Sequence, residues 1–224
     1  MASDDIPRPM GPCHASRDQL RALAHPLRLE IMTRVGRRGT ARAADIAADL
    51  GIPANSVSYH LRILARGGVI VEAPEAARDR RDRVWTLAQH SFEHGQRASN
   101  NPGERDRDYL DASAATSLAG IDWFRNAWTR HLATLRDSSA TSEGSSSQGT
   151  LLAMDLRMSP QQAEELTATI TAAIKDANRL NRDEHGVDLP GDPDSEGCAQ
   201  DFRILFAITE DSPSAPDHPA PHSD

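Results

Sequence analysis

The 224-residue sequence lacks most of the features that mark secreted and membrane-spanning proteins. Its two cysteines, Cys13 and Cys198, are too few for a disulfide framework and too far apart for a CxxC pair. No apolar run reaches the roughly 20 residues that a membrane helix needs, and residues 1–10 contain no apolar segment of a signal peptide. We therefore expect a cytoplasmic protein with two free thiols and no membrane partner.

The common catalytic and metal-binding motifs are also missing. The sequence has no glycine-rich phosphate loop, no Gly-x-Ser-x-Gly turn and no paired acid–base spacing. Residues 188–197 are acidic, but they lack the regular ligand spacing and the terminal Glu of a calcium loop. His90 and His94 have the spacing of a zinc-binding pair on a helix, yet no third ligand accompanies them. We expect neither enzymatic activity, nor a cofactor, nor a metal site.

Lysine is almost absent, and the charge is unevenly distributed along the chain. Lys175 is the one lysine among 25 basic residues, so the positive charge is carried by arginine. The net charge is −8, but residues 15–90 hold 13 Arg against 8 acidic residues, a net +5. Residues 91–224 hold 11 basic and 23 acidic residues, a net −12. A cationic N-terminal part of this kind is compatible with nucleic-acid binding.

Four amphipathic segments follow one another between residues 17 and 66. His25-Pro26 separates the first from the second, because proline suits the first turn of a helix. A third helix is predicted to begin at Thr40 or Arg42 and to end at Gly51, a residue that favours the left-handed cap conformation. After a turn of three residues comes the fourth helix, Ala54–Arg66. Two helices joined in this way predict a helix-turn-helix.

The fourth helix has one apolar stripe and one polar face. At about 100° per residue, Val57, Leu61 and Leu64 share a stripe that must pack on a core. The opposite face is long, polar and cationic, which suits insertion into a DNA groove. His60 lies at the edge of the stripe, where we expect a structural hydrogen bond and no base contact. The residues expected to contact the major groove are Asn55, Ser56, Ser58, Tyr59, Arg62 and Arg66.

A hairpin with a charged tip is predicted next. Its strands are Val69–Glu72 and Arg83–Leu87, and they flank the segment 73–82. After a helix-turn-helix, such a hairpin is typical of a wing that contacts the phosphate backbone or the minor groove. A merely solubilising loop is the alternative. The wing residues expected to contact DNA are Arg78, Arg80, Arg81 and Arg83.

Three runs in this order carry a resemblance to a known family. They are LRALAHPLRLEIM, AADIAADLGIPANSVSYHLRILARGGVI and RVWTL, and together with the wing they resemble the ArsR-type winged helix-turn-helix of bacterial repressors. The resemblance covers about 75 residues and implies a nucleoid-associated homodimer that binds an inverted repeat in double-stranded DNA. The metal-sensing members of that family place paired cysteines in the helix before the recognition helix. The corresponding helix here, AADIAADL, has neither cysteine nor histidine.

A long amphipathic helix is predicted after the wing. Residues 91–107 read as a linker, and the apolar stripe then runs through Tyr109–Asp137. Because helices flanking the winged domain generally form the dimer in ArsR-like proteins, this helix resembles a dimerisation helix. Packing on the C-terminal domain is the alternative, and an aromatic ligand cage of Trp123, Phe124 and Trp128 is a third possibility. The residues expected at the dimer interface are Leu110, Leu118, Ile121, Phe124, Trp128 and Leu132.

The rest of the chain predicts a small second domain between polar segments. Residues 138–150 read as a flexible linker, and residues 1–14 and 210–224 as a disordered arm and tail. Within 151–209, two segments of alternating polarity, 152–158 and 202–208, flank a helix that begins at Ser159 with a capping box. We therefore predict a β-α-β unit. Since two strands alone are marginal in water, it needs a further partner surface.

Taken together, these patterns predict a mainly α protein with a small amount of β structure. Its parts are a winged helix-turn-helix domain at 15–90, a linker and long dimerisation helix at 91–137, and the β-α-β unit at 151–209. The predicted function is that of a sequence-specific, DNA-binding transcriptional regulator, a dimeric repressor with an unknown small-molecule effector. The alternative is a winged-helix protein-interaction module without specific DNA reading, because the acidic C-terminal half repels DNA.

Overall fold

The computed structural model describes residues 15–79, 82–89, 107–138, 149–180, 182–183, 187–189 and 201–210. The expected arm at 1–14, the tail beyond residue 210, the histidine pair and most of both linkers lie outside these residues. None of the described helices is both long enough and apolar enough to cross a bilayer. The elements in chain order are α1 (Arg17–Leu23), α2 (Pro26–Arg38), β1 (Thr40–Arg42), α3 (Ala43–Leu50), α4 (Ala54–Arg66), β2 (Ile70–Glu72), a 3₁₀ turn (Pro74–Ala76), β3 (Val84–Leu87), α5 (Arg107–Ser138) and α6 (Pro160–Ala177).

Local capping interactions define the ends of the N-terminal helices. α1 follows a capping box in which the Ser16 hydroxyl accepts from the Gln19 N–H at 3.2 Å and the Gln19 side chain accepts from the Ser16 N–H at 2.8 Å. α2 starts at Pro26 as predicted, and the preceding His25 caps it by accepting the Leu27 N–H at its Nδ1. α3 ends at Gly51 with a φ of 64°, which confirms the left-handed cap.

The sheet has one more strand than the sequence predicts. The sequence predicts that the third helix begins at Thr40 or Arg42, but Thr40–Arg42 form β1 and the helix begins at Ala43. β1 pairs antiparallel with β3, which also pairs with β2, so the strand order is β1-β3-β2. The prediction was wrong here because a strand of three residues has no periodicity to detect, and its pairing with β3 spans more than 40 residues of sequence. The two predicted hairpin strands are confirmed, each one residue shorter.

The winged domain is built around the apolar stripe of α4. Val57, Leu61 and Leu64 are at most 1% exposed. They pack with residues from all three other N-terminal helices and from the sheet. This contiguous core holds the helix-turn-helix and the wing as one unit. Its other large buried members are Leu23, Ile31, Val35, Ile46, Val69, Ile70 and Trp85.

α5 packs on this unit through a face of small residues. Ala112, Thr116 and Ala119 are buried where α5 crosses α1. The Thr116 hydroxyl donates to the Leu20 carbonyl oxygen of α1 at 2.7 Å. Leu20 is fully buried in a cluster that contains Ala112. The long helix is thus confirmed. In the described part of the chain it packs mainly on α1 and α2, and its Trp123 also contacts Arg203 of the C-terminal region, the alternative partner considered above.

The C-terminal region contains the predicted helix without the predicted strands. α6 begins behind the Ser159–Gln162 capping box, as expected. Neither 151–158 nor 201–210 forms a strand, so the β-α-β prediction was wrong in both of its strands. Most of their apolar side chains are exposed to solvent, with Leu152 75% and Phe202 66% exposed. Alternating polarity indicates that a segment could fill a place in a sheet, but among the described residues no neighbouring strand offers that place.

Two glycine substitutions test the packing of α4 and α5. At Gly67 a new Cβ would clash with the Ala22 side chain and lie 2.9 Å from the Asp18 carbonyl oxygen, both in α1. We expect Gly67→Ala to lower the free energy of unfolding by about 1–3 kcal/mol, because α1 and α4 must separate. Gly120→Ala is the matched control, since a Cβ there meets nothing within 4 Å and alanine favours a helix interior by about 0.5–1 kcal/mol. Urea unfolding of both variants measures the difference, and equal midpoints would contradict this packing.

Candidate nucleic-acid interface

The polar face of α4 points away from the core. Because the stripe on one side is buried, the opposite side must face solvent, and Tyr59 is 60% exposed there. Asn55, Arg62 and Arg66 are also exposed, whereas Ser56 and Ser58 are half-buried. Neither Arg62 nor Arg66 forms an ion pair with any described residue. All six predicted groove residues therefore lie on one helix, and the two guanidiniums on it are available to an external anion.

The turn before α4 sets the position of its N-terminal end. Gly51 turns the chain, and the Ile52 N–H then donates back to the Ala47 carbonyl oxygen at 3.2 Å. Pro53 precedes the first helical residue and offers no side-chain cap. The Asn55 side-chain oxygen accepts the Ser56 N–H at 2.9 Å, which restrains Asn55 at the start of the helix. The helix thus presents its positive, N-terminal end next to the exposed polar face.

A pair of histidines lies beneath Tyr59. The rings of His25 and His60 are 5.1 Å apart between centroids, and Tyr59 packs edge-on against His60 at 5.3 Å. The Nδ1 atom of His60 is buried and has no hydrogen-bond partner among the described residues. The structural hydrogen bond expected for His60 is therefore not made at that atom, although the residue is half-buried as expected.

Burial favours the neutral form of both histidines. Desolvation lowers the pKa of His60, and the nearby His25 and Arg28 lower it further. Desolvation also lowers the pKa of His25, with a smaller contribution from Arg28. Arg28 itself is held by the backbone carbonyl oxygens of Ala22 and Arg21. No role was predicted for Arg28, because about 30 residues separate it from His60 and no local pattern connects the two.

The wing is fixed at its base, while its cationic tip lies partly outside the described residues. Arg83 pairs with Glu72 across the hairpin at 3.7 Å, and both side chains are exposed. Asp82 accepts from Arg42 of β1 at 3.4 Å, so the wing is connected to the start of α3. The Arg78 side chain is exposed. The predicted contact residues Arg80 and Arg81 fall outside the described part.

The aromatic cage considered for α5 does not form. Trp123 points toward α2, where its Nε1 donates to Glu30 at 2.9 Å and Arg203 lies 4.0 Å above its ring. Phe124 and Trp128 instead stack on each other, with centroids 6.1 Å apart. The three rings therefore belong to two different surfaces. Within the described ranges, no three His, Cys, Asp or Glu side chains are grouped as a metal site would require.

Comparison with known proteins supports the helix-turn-helix. A family model described as a helix-turn-helix domain matches residues 23–73, which run from the end of α1 to the start of the wing. No curated protein shows significant similarity to the chain. The chain thus carries a helix-turn-helix domain of the kind found in DNA-binding regulators, and its fold is a winged helix followed by a long helix.

The lowered pKa values of the histidine pair predict a pH-dependent stability. Histidine in the unfolded chain titrates near pH 6.5, and the pKa values of His25 and His60 in the folded protein are lower. Between the folded pKa values and about pH 6.5, the unfolded state therefore binds more protons than the folded state. Their contribution to stability is complete above about pH 6.5 and is lost as the pH falls toward the folded pKa values. We expect the melting temperature to drop between pH 7 and pH 5.5, and His60→Gln to reduce that drop. Identical slopes for the variant and the wild type would contradict this assignment.

Proposed function

We propose that the protein is a dimeric, ArsR-like transcriptional repressor that binds an inverted repeat through α4. The observation that most directly supports this proposal is the exposed polar face of α4, on which Tyr59, Arg62 and Arg66 point to solvent. The residues proposed to contact DNA are those predicted above, with Asn55, Ser56 and Ser58 completing the helix and Arg78, Arg80, Arg81 and Arg83 forming the wing. In this proposal α4 reads base edges in the major groove, and the wing holds phosphates.

The charge of the unit supports this proposal. Residues 15–138, which include α5, hold 19 Arg against 15 acidic residues, a net +4. Residues 139–224 hold 5 basic and 16 acidic residues, a net −11. The negative charge of the chain is therefore concentrated beyond the winged domain and α5. A cationic surface at α4 and the wing attracts the phosphate backbone and makes binding depend on salt.

The dimer is proposed to form along the exposed stripe of α5. Since the small residues of α5 face α1, its large apolar residues are left on the other side of the helix. Leu118 is 63% exposed, and Ile121 is 46% exposed. Such a continuous apolar stripe is typical of a protein–protein interface. The proposed interface residues are Leu110, Leu118, Ile121, Phe124, Trp128 and Leu132. A two-fold axis there would place two α4 helices on half-sites about one helical turn, roughly 10 bp, apart.

A protein-interaction module is the second candidate, and the acidic C-terminal region favours it. A cut after residue 89 would remove α5 and expose Leu20, which α5 covers. A cut after Ser138 keeps that contact and removes the acidic region, so it separates the two functions more cleanly. DNA binding by the fragment that ends at Ser138 would support the repressor. If neither this fragment nor the full-length protein bound DNA, the interaction module would be favoured.

Sequence-specific binding can be tested by selection from random duplex DNA with the full-length protein. We expect an inverted repeat to be enriched, with an affinity that falls steeply as salt rises. On the selected site, Arg62→Ala should weaken binding by about 1–3 kcal/mol if Arg62 reads a base, and it should relax specificity at one position in each half-site. Arg125→Ala on α5 is the matched control, since Arg125 pairs with Asp122 away from α4. Equal affinities of the Arg62 variant and the control would contradict the role of Arg62.

The proposed dimer can be tested by light scattering on the eluted protein. We expect wild type to elute with twice the 24.4 kDa mass of the chain. Leu118→Glu should give the monomer, because it places a charge at the centre of the stripe and its desolvation would cost several kcal/mol. Ala133→Glu is the control, because Ala133 is exposed on α5 but lies outside the stripe. A dimer that withstands Leu118→Glu would show that another surface joins the copies.

A further inference from the structure

Four arginines converge on a cavity between α2, α5 and the C-terminal segment 201–210. The cavity has a volume of about 180 Å³. Arg34 and Arg37 reach it from α2, Arg130 from α5 and Arg203 from the segment. Ala127, Asp201 and Phe202 complete its lining. The three chain regions are far apart in sequence, so this grouping exists only in the folded chain.

The carboxylates at this cavity are fewer than the guanidiniums. Glu30 accepts from Arg203 at 2.6 Å and pairs with Arg34 at 3.2 Å, so one carboxylate serves two arginines. Asp201 pairs with Arg37. Arg130 has no carboxylate partner in the described part of the chain. Four positive and two negative side chains therefore leave a net charge of +2 around the cavity.

The neighbouring charges reduce this excess but do not cancel it. Asp188 approaches Arg37 at 3.9 Å, but it also pairs with Arg182 at 3.1 Å. Asp49 is held by Arg38 through two bonds of 2.7 and 2.9 Å, so that pair is balanced. The C-terminal end of α2 contributes a partial charge of about −0.5. An excess of more than one positive charge remains at the cavity.

Two further observations describe how these cationic groups are held: one donor on Arg34 is unsatisfied, and Arg203 lies close to like charges. The Nε atom of Arg34 is buried and donates to no described atom. Burial is the main cause of the lowered pKa of Arg203, and the like charges of Arg130 and Arg34 lower it further, against the opposing effect of Glu30. The guanidiniums of Arg203, Arg130 and Arg34 are thus held close together at a partly buried site. Their mutual repulsion costs free energy, and a bound anion would reduce that cost.

We propose that this cavity binds a small dianion, either a phosphate group or a dicarboxylate. Planar guanidiniums donate in pairs to phosphate and carboxylate oxygens, and such charge-assisted bonds are the strongest hydrogen bonds in proteins. Two negative charges match the net +2 of the lining. A bound dianion bridges α2, α5 and the segment 201–210, so it ties the C-terminal region to the winged domain. The site does not depend on the proposed DNA binding and can be tested without DNA.

The test uses the full-length protein and calorimetric titration at constant ionic strength. Inorganic phosphate and succinate are the two probes, and acetate is the monoanionic comparison. We expect at least one dianion to bind saturably, and the one that binds more tightly identifies the ligand class. The absence of saturable binding up to about 10 mM, a concentration corresponding to a very weak affinity, would overturn the proposal. Equal binding of acetate would overturn it as well.

A matched pair of variants on α5 locates the site. Arg130→Gln removes the guanidinium that has no carboxylate partner, so it leaves no buried acid unpaired and should not disturb the fold. We expect it to weaken dianion binding at least about tenfold, the effect of losing one charge-assisted bond. Arg125→Gln lies on another side of α5 and should bind as wild type does. Wild-type affinity in Arg130→Gln would place the anion elsewhere and overturn the assignment.

Discussion

The burial of one narrow stripe on α4 determines the direction of every other side chain on that helix. Val57, Leu61 and Leu64 are almost completely inaccessible to solvent, and Gly67 lets the end of α4 approach α1 so closely that no Cβ fits there. A helix held at this depth cannot rotate without opening the core. The exposure of Tyr59, Arg62 and Arg66 is therefore a consequence of packing on the far side. The proposed interface is rigid for the same reason that the domain is stable.

Charge is divided between the two halves of the chain, and the halves meet where their charges are complementary. The C-terminal segment reaches α2 through Asp201 and Arg203, and each of these finds an opposite charge there, Arg37 and Glu30. Glu30 also accepts from Trp123 of α5. One carboxylate thus joins three regions of the chain. Because such contacts are polar and partly buried, a change in local charge affects them more than it affects an apolar core.

The sequence predicted what depends on short-range patterns. The starts of α2 and α6 and both ends of α4 followed from proline, glycine and capping residues, and the polar face of α4 followed from the spacing of three apolar residues. It did not predict β1, whose three residues are a strand only because β3 lies beside them. The segments 152–158 and 202–208 show the reverse error, because their polarity alternates but no strand among the described residues lies beside them. The arginine cavity depends on residues as distant as Arg34 and Arg203, and no local pattern connects them.

The contact between α1 and α5 has a consequence for the order of events during synthesis. The hydrogen bond from Thr116 to Leu20 joins residues 96 positions apart, so α1 is covered by a helix that is made later. At about 5–20 residues per second, translation takes on the order of 5–20 s to bridge that distance. During that interval Leu20 has no α5 to cover it, although the whole helix-turn-helix is made within the first half of the interval. The nascent chain therefore exposes Leu20 for seconds, and the cluster of Ala15, Leu20 and Ala112 can form only when α5 emerges.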